Sequence, residues 1–136
     1  MSTISVGLTG QAETIVTEQR TAQAAGSGTL PVFGTPYMTA LMEQAAFSSL
    51  IPYLESGQST VGTRLDISHV SATPVGMAVR AESEVTSVDG KKITFRVRAY
   101  DGAGLIGEGV HERVIITSER FLQKCYAKQE GNRDVH

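Results

Sequence analysis

Two hydrophobic periods divide this chain. Between Gly34 and Pro52 the apolar positions Met38, Leu41, Met42, Ala45 and Leu50, together with Ser49, recur at helical spacing, and Ala40, Ala46, Phe47 and Ile51 fill much of the rest. Thr35-Pro36 is a good helix start, because Thr can cap and Pro is pre-organised at the first helical position. Pro52 stops the run near Ile51. The spacing therefore predicts a helix of about 16 residues, roughly 24 Å long, and a helix apolar nearly all round is a buried one. From Thr60 onward the period falls to two. Val61, Thr63, Leu65, Ile67 and His69 share one face of a strand, with Gly62, Arg64, Asp66 and Ser68 on the other. Met77 to Val88 reads as a second strand after a turn at Pro74-Val75-Gly76. Asp89-Gly90 marks a hairpin into a third strand, Lys92 to Tyr100, whose apolar face is Ile93, Phe95, Val97 and Ala99. Asp101-Gly102-Ala103-Gly104 turns the chain into a fourth, Leu105 to Thr117, and strand signals dominate from Thr60 to the end.

Upstream, Gln11 to Thr17 reads as a short strand, followed by helix formers from Glu18 to Ala25 and a breaker at Gly26-Ser27-Gly28. The order is thus strand, long helix, then four antiparallel strands. An antiparallel sheet can wrap one face around a single helix and leave the other wet. The expected class is α+β: a hot-dog fold, with a sheet of about five strands around one long central helix. Residues 1–10 read as an N-terminal extension, 11–128 as one domain and 129–136 as a polar tail. One helix covers only part of such a sheet, so edge-to-edge pairing into a homodimer or higher oligomer is expected.

Composition narrows the function classes. At 136 residues the chain is long enough for a core without staples. Its net charge of −2 argues against a nucleic-acid or membrane-surface partner, both of which favour a basic excess. No apolar run reaches the length of a membrane span. The N-terminus lacks the basic and apolar regions of a signal peptide, so a cytoplasmic location is expected. The single cysteine, Cys125, allows no internal disulfide, and no Cys/His spacing suggests a metal site.

The candidate chemistry begins with Glu43, the only charge in the helical run. A carboxylate buried there has a high desolvation cost unless it is paired or used. His69 lies on the strand face that should meet the helix, and a His facing a Glu is an acid/base pair in which each compensates the other's burial. Thr35 sits at the helix mouth, eight residues before Glu43 and so about 12 Å away along a regular helix. Either Thr35 folds back from a loop, or a site spanning two subunits unites the set. Each residue also has a bland reading: a carboxylate bonded to loop amides, a satisfied core histidine, an ordinary cap. Gly62 marks a bulge or a close approach. His111 and Arg113 alternate with Glu112 as a solvated strand face also would. The Lys91-Lys92 pair suits either solvent or nucleotide phosphates.

The stretches Val32-Phe33-Gly34-Thr35 through Leu41-Met42-Glu43, Val61-Gly62-Thr63, and Ser68-His69-Val70-Ser71-Ala72-Thr73-Pro74 resemble the fluoroacetyl-CoA thioesterase group of hot-dog proteins. Val88-Asp89-Gly90-Lys91, Tyr100-Asp101-Gly102 and His111-Glu112-Arg113 extend the likeness from roughly Val6 to Lys128. The resemblance implies a catalytic set of Thr35, Glu43 and His69 acting on a short acyl-CoA thioester, with Gly62, Arg113 and Phe33 in substrate binding. It implies no cofactor, CoA being part of the substrate. That group carries phenylalanines before the helix as a hydrophobic lid. Here Gly26 to Pro31 has no aromatic, so a general acyl-CoA thioesterase is expected rather than a fluoroacetyl-selective one. A hot-dog acyl-thioester hydratase or dehydratase, or a non-catalytic acyl-CoA binding module, are the alternatives.

Overall fold

A computed structural model describes the backbone of residues 3–132 and the side chains of residues 3–130. Strand β1 (Thr9–Ile15) leads through a 3-10 turn at Glu18–Arg20 and a one-turn helix α1 (Ala22–Ala25) into the long helix α2 (Thr35–Leu50). Then come β2 (Gln58–His69), β3 (Ala78–Asp89), β4 (Lys92–Asp101) and β5 (Gly104–Thr117). All pairings are antiparallel, in the order β1-β3-β4-β5-β2. The hairpins are where Asp-Gly predicts them: Asp89 pairs with Lys92 and Asp101 with Gly104, each across a two-residue turn.

The core lies between one face of α2 and the concave face of the sheet. Met38, Leu41, Met42, Ala45, Ala46 and Leu50 pack against Val79, Ala81, Val85, Ile93, Phe95, Val97 and Ala99. Small residues let the helix come close. A Cβ on Gly10 of β1 would sit 2.2 Å from the Ala45 carbonyl oxygen, and one on Gly107 of β5 would sit 2.6 Å from the Met38 sulfur.

Three expectations change. Helix α2 is buried on one side rather than all round: Ala40, Gln44 and Phe47 are exposed, and the Glu43 side chain is 40% exposed. The phase of β2 also changes mid-strand. Gly62 pairs with Arg113 and Arg64 with Glu112, so Thr63 is the extra residue of a bulge. Leu65, Ile67 and His69 keep the predicted inward phase, but before the bulge Thr60 and Gly62 point inward instead of Val61 and Thr63. Finally, Ser118–Asn132 forms a third helix, α3, rather than strand or tail. Residues 133–136 of the polar tail lie outside the described residues.

Candidate active site

Thr35 is placed by a loop fastened on two sides. The Phe33 N–H donates to the Thr73 carbonyl (2.9 Å) and the Gly34 N–H to the Arg20 carbonyl (3.0 Å), while Val32 bridges to Pro74. The buried Thr73 hydroxyl in turn donates to Asp101 (2.7 Å), which holds the Asp101 carboxyl below its usual range. Gly34, not Thr35, is the N-cap of α2, Thr35 being its first helical residue. The Thr35 hydroxyl is therefore free of capping, and it makes a 2.7 Å hydrogen bond with Nδ1 of His69 at the end of β2.

This pair stands over a cavity of about 340 Å³ lined by Ala22, Val32, Phe33, Val70 and Ala72 among others. His69 Nε2 is buried and makes no hydrogen bond among the described residues. Burial lowers the His69 pKa, and the nearby Ser71 backbone offsets this in part. The imidazole is thus held neutral with one nitrogen unspent. Phe33 contributes mainly to the core, at 1% exposure, and only touches this cavity's wall. Among Gly26 to Pro31 there is no aromatic side chain to close over it.

Glu43 belongs to a second cluster. Its Oε2 lies 3.4 Å from Nη1 of Arg113 on β5, and Arg113 is buried. The Arg113 guanidinium also donates from Nε to the Thr60 hydroxyl (2.9 Å) and from Nη2 to the Thr60 carbonyl (3.0 Å). Its Nη1 meets His111 Nε2 at 3.2 Å, and the Phe47 ring lies 5.5 Å from its carbon. The partners fix the His111 tautomer. Nδ1–H donates to the Arg64 carbonyl at the bulge (2.8 Å), leaving the Nε2 lone pair for Arg113. Burial lowers the His111 pKa, with Arg113 adding to the effect against the Arg64 carbonyl, Glu43 and Glu112. Burial likewise lowers the Arg113 pKa, opposed by Glu43. Gly62 leaves the room for all this: its Cβ would lie 3.0 Å from Glu43 Oε2, 3.2 Å from His111 Cε1 and 3.3 Å from Arg113 Nη1.

The predicted Glu43–His69 pair is therefore not made within the protomer. Glu43 pairs with Arg113, and His69 with Thr35. From Gly62 to His69 is seven residues of strand, one of them the bulge, so about six regular steps of 3.2–3.4 Å or roughly 20 Å. His111 and Thr60 are members of the Glu43 cluster that sequence reasoning did not select. Counted back from the Asp101–Gly104 turn, uninterrupted pairing would set Phe95 opposite Val110 and Ile93 opposite Glu112. A register shift between Ala99 and Tyr100 instead brings His111 opposite Phe95 and Arg113 opposite Ile93, so the turn alone gives no signal for His111. The apolar side of β4 thus puts His111 and Arg113 inward, and the solvated-face reading of that segment fails.

A five-stranded antiparallel sheet wrapped around one long helix is the hot-dog fold. The comparisons with known proteins agree. A family model described as fluoroacetyl-CoA-specific thioesterase matches residues 16–119. The chain is 42% identical over 97 residues to the fluoroacetyl-CoA thioesterase of Streptantibioticus cattleyicolor, covering 71% of this chain and 70% of that one. The solved structure of a fluoroacetyl-CoA thioesterase superposes with a TM-score of 0.89 at 34% identity, covering 93% of this chain and 98% of that one. A Thermus thermophilus thioesterase superfamily member gives 0.88 at 28% identity over the full length of both chains. The chain belongs to the fluoroacetyl-CoA-specific thioesterase family, and its activity is that of an acyl-CoA thioester hydrolase.

Proposed function

We propose that the protein hydrolyses a short acyl-CoA thioester to free acid and CoA, in a site completed by two protomers. The observation that carries the reading is the Thr35–His69 hydrogen bond at the edge of a cavity, with the buried His69 Nε2 making no hydrogen bond among the described residues. In this scheme Thr35 and the positive end of α2 polarise the thioester carbonyl, and His69 orients the Thr35 hydroxyl. Glu43, with one oxygen held by Arg113, takes a proton from water through the other. The water oxygen bonds to the carbonyl carbon, the C–S bond breaks, and the proton ends on the departing thiolate. The reaction needs no cofactor or metal. Small lining residues and the missing aromatic lid favour a range of small acyl groups over fluoroacetyl alone.

The separation of the two clusters supports the dimer. β2 is an edge strand of twelve residues whose outer side is unpaired in the protomer, and a long bare edge favours pairing. A two-fold antiparallel pairing centred between Leu65 and Asp66 sets Gly62 of the second copy opposite His69. The Thr35–His69 half of one protomer then meets the Glu43–Arg113 half of the other. CoA thioesters are cytoplasmic metabolites, which supports a location there.

Thiol release from a panel of acyl-CoAs tests the activity, and subunit mixing tests the shared site. Thr35→Ala and Glu43→Gln proteins should each be nearly inactive. Refolded together, half the dimers carry one intact site, so about a quarter of wild-type turnover returns. A mixture no more active than its components would sink the shared site.

A further inference from the structure

The described Arg and Lys residues divide into two groups. Arg64, Arg80, Lys92, Arg96 and Arg98 each pair with a carboxylate. Arg113 pairs with Glu43, and Arg20 bonds to Thr14. Lys91, Arg120, Lys124 and Lys128 make no ion pair among the described residues, and the first three surround one pocket of about 220 Å³. Its remaining wall is mostly apolar, from Ile115, Ile116 and Phe121, and no carboxylate lines it. Arg120, Lys124 and Lys128 form one column of α3 at i, i+4 spacing, where like charges repel. An anion seated on the column relieves that repulsion.

The position is as informative as the charge. Ile115 lies two residues beyond Arg113 on β5, about 7 Å along the strand, well within the length of a pantetheine arm. We infer that this pocket, between α3 and the β3–β4 turn, binds the nucleotide end of the CoA carrier: Lys91, Arg120 and Lys124 take its phosphates, and Phe121 with the two isoleucines takes its adenine. The inference rests on the acyl-CoA reading above and adds a subsite to it. It also gives Lys91 a use that its neighbour does not share, since Lys92 is 3.5 Å from Glu112.

The test compares one acyl group carried on CoA with the same group carried on N-acetylcysteamine, which keeps the thioester but lacks the nucleotide. In a Lys91→Ala/Arg120→Ala/Lys124→Ala protein, the ratio of kcat/KM for the CoA substrate to that for the truncated one should fall about tenfold, a few-fold for each exposed cation. The loss should appear in KM and shrink with added salt. Lys124→Glu, a single change on an exposed helix face, should move the ratio the same way if the triple variant folds poorly. An unchanged ratio in both variants overturns the inference. If the wild type turns over neither substrate, the thioesterase reading fails, and calorimetry with adenosine 3′,5′-bisphosphate decides the pocket separately. Binding by the wild type that weakens in Lys124→Glu supports the pocket; equal binding, or none, overturns it.

Discussion

Glu43→Gln separates a structural carboxylate from a working one. The Glu43–Arg113 contact is long, at 3.4 Å, and the Glu43 side chain is 40% exposed. Its Coulombic gain is therefore screened and falls near that of a surface pair, about 0.5–1 kcal/mol. Arg113 does not depend on it, because Thr60 and His111 accept from its other N–H groups. Gln keeps the shape and can still offer an oxygen to Arg113. For a domain of this size, a loss of that order lowers Tm by about 2–5 °C. Turnover should fall far more, by about 10²-fold or greater, as expected when a proton acceptor is removed. Differential scanning fluorimetry and a thiol-release assay on the same preparation read both quantities. A Tm drop beyond about 10 °C with activity lost in proportion to unfolding would make Glu43 structural. A folded variant with wild-type turnover would remove Glu43 from the mechanism.

Three other outcomes follow from the same geometry. Arg113→Met removes the donor that His111 Nε2 meets among the described residues, in a histidine that is almost fully buried, and takes a donor from the Thr60 carbonyl; it should cost about 2–4 kcal/mol, seen as a lower urea midpoint at unchanged slope, and a shift below about 1 kcal/mol would show that the network relaxes without it. Gly62→Ala places a methyl 3.0 Å from Glu43 Oε2; the flexible carboxylate yields, so stability should drop by only about 1–2 kcal/mol while kcat falls about tenfold or more through misplacement, and wild-type kcat would refute the close fit. His69 and His111 both have folded pKa values below the unfolded 6.5. The unfolded chain therefore binds more protons just below that value, and stability should be flat above about pH 7 and decline as pH falls through 6.5, by up to about 1.4 kcal/mol per unit for each histidine. Denaturation across pH should show a shallower decline in His111→Gln, and an identical one would contradict neutral burial.

Much of the fold was legible because its determinants are local. The apolar face Ile93, Phe95, Val97 and Ala99 is buried as the alternation requires, and the Asp-Gly turns mark where both hairpins reverse, although each pairing shifts register by one residue away from its turn. Helix α2 begins at Thr35 and yields to a 3-10 turn at Ile51-Pro52-Tyr53, as its punctuation demands. Helix α3 was missed because its burial signal is absent: Phe121, Leu122 and Tyr126 remain exposed and no apolar face docks on the core. The inward phase of Val61 and Thr63 was misread because a bulge leaves no mark in a period-two pattern beyond the glycine beside it.

That bulge also explains why the candidate site was only half legible. Sequence reasoning selected Thr35, Glu43 and His69, but within the protomer Glu43 meets Arg113 and His69 meets Thr35. With uninterrupted alternation, His69 and Val61 share the inner face and Gly62 points outward, so nothing makes room for a guanidinium beside Glu43. The extra residue at Thr63 turns Gly62 inward and presents the Arg64 carbonyl to His111 Nδ1. With Nδ1 committed to that carbonyl, His111 offers Arg113 a lone pair in place of a second positive charge. Arg113 can then be buried, and Glu43 can be held by one oxygen with the other left free. One inserted residue in an edge strand thus converts an ordinary helix carboxylate into a positioned one. It does so on the edge strand that, in the proposed dimer, would carry Glu43 toward His69 of the partner subunit.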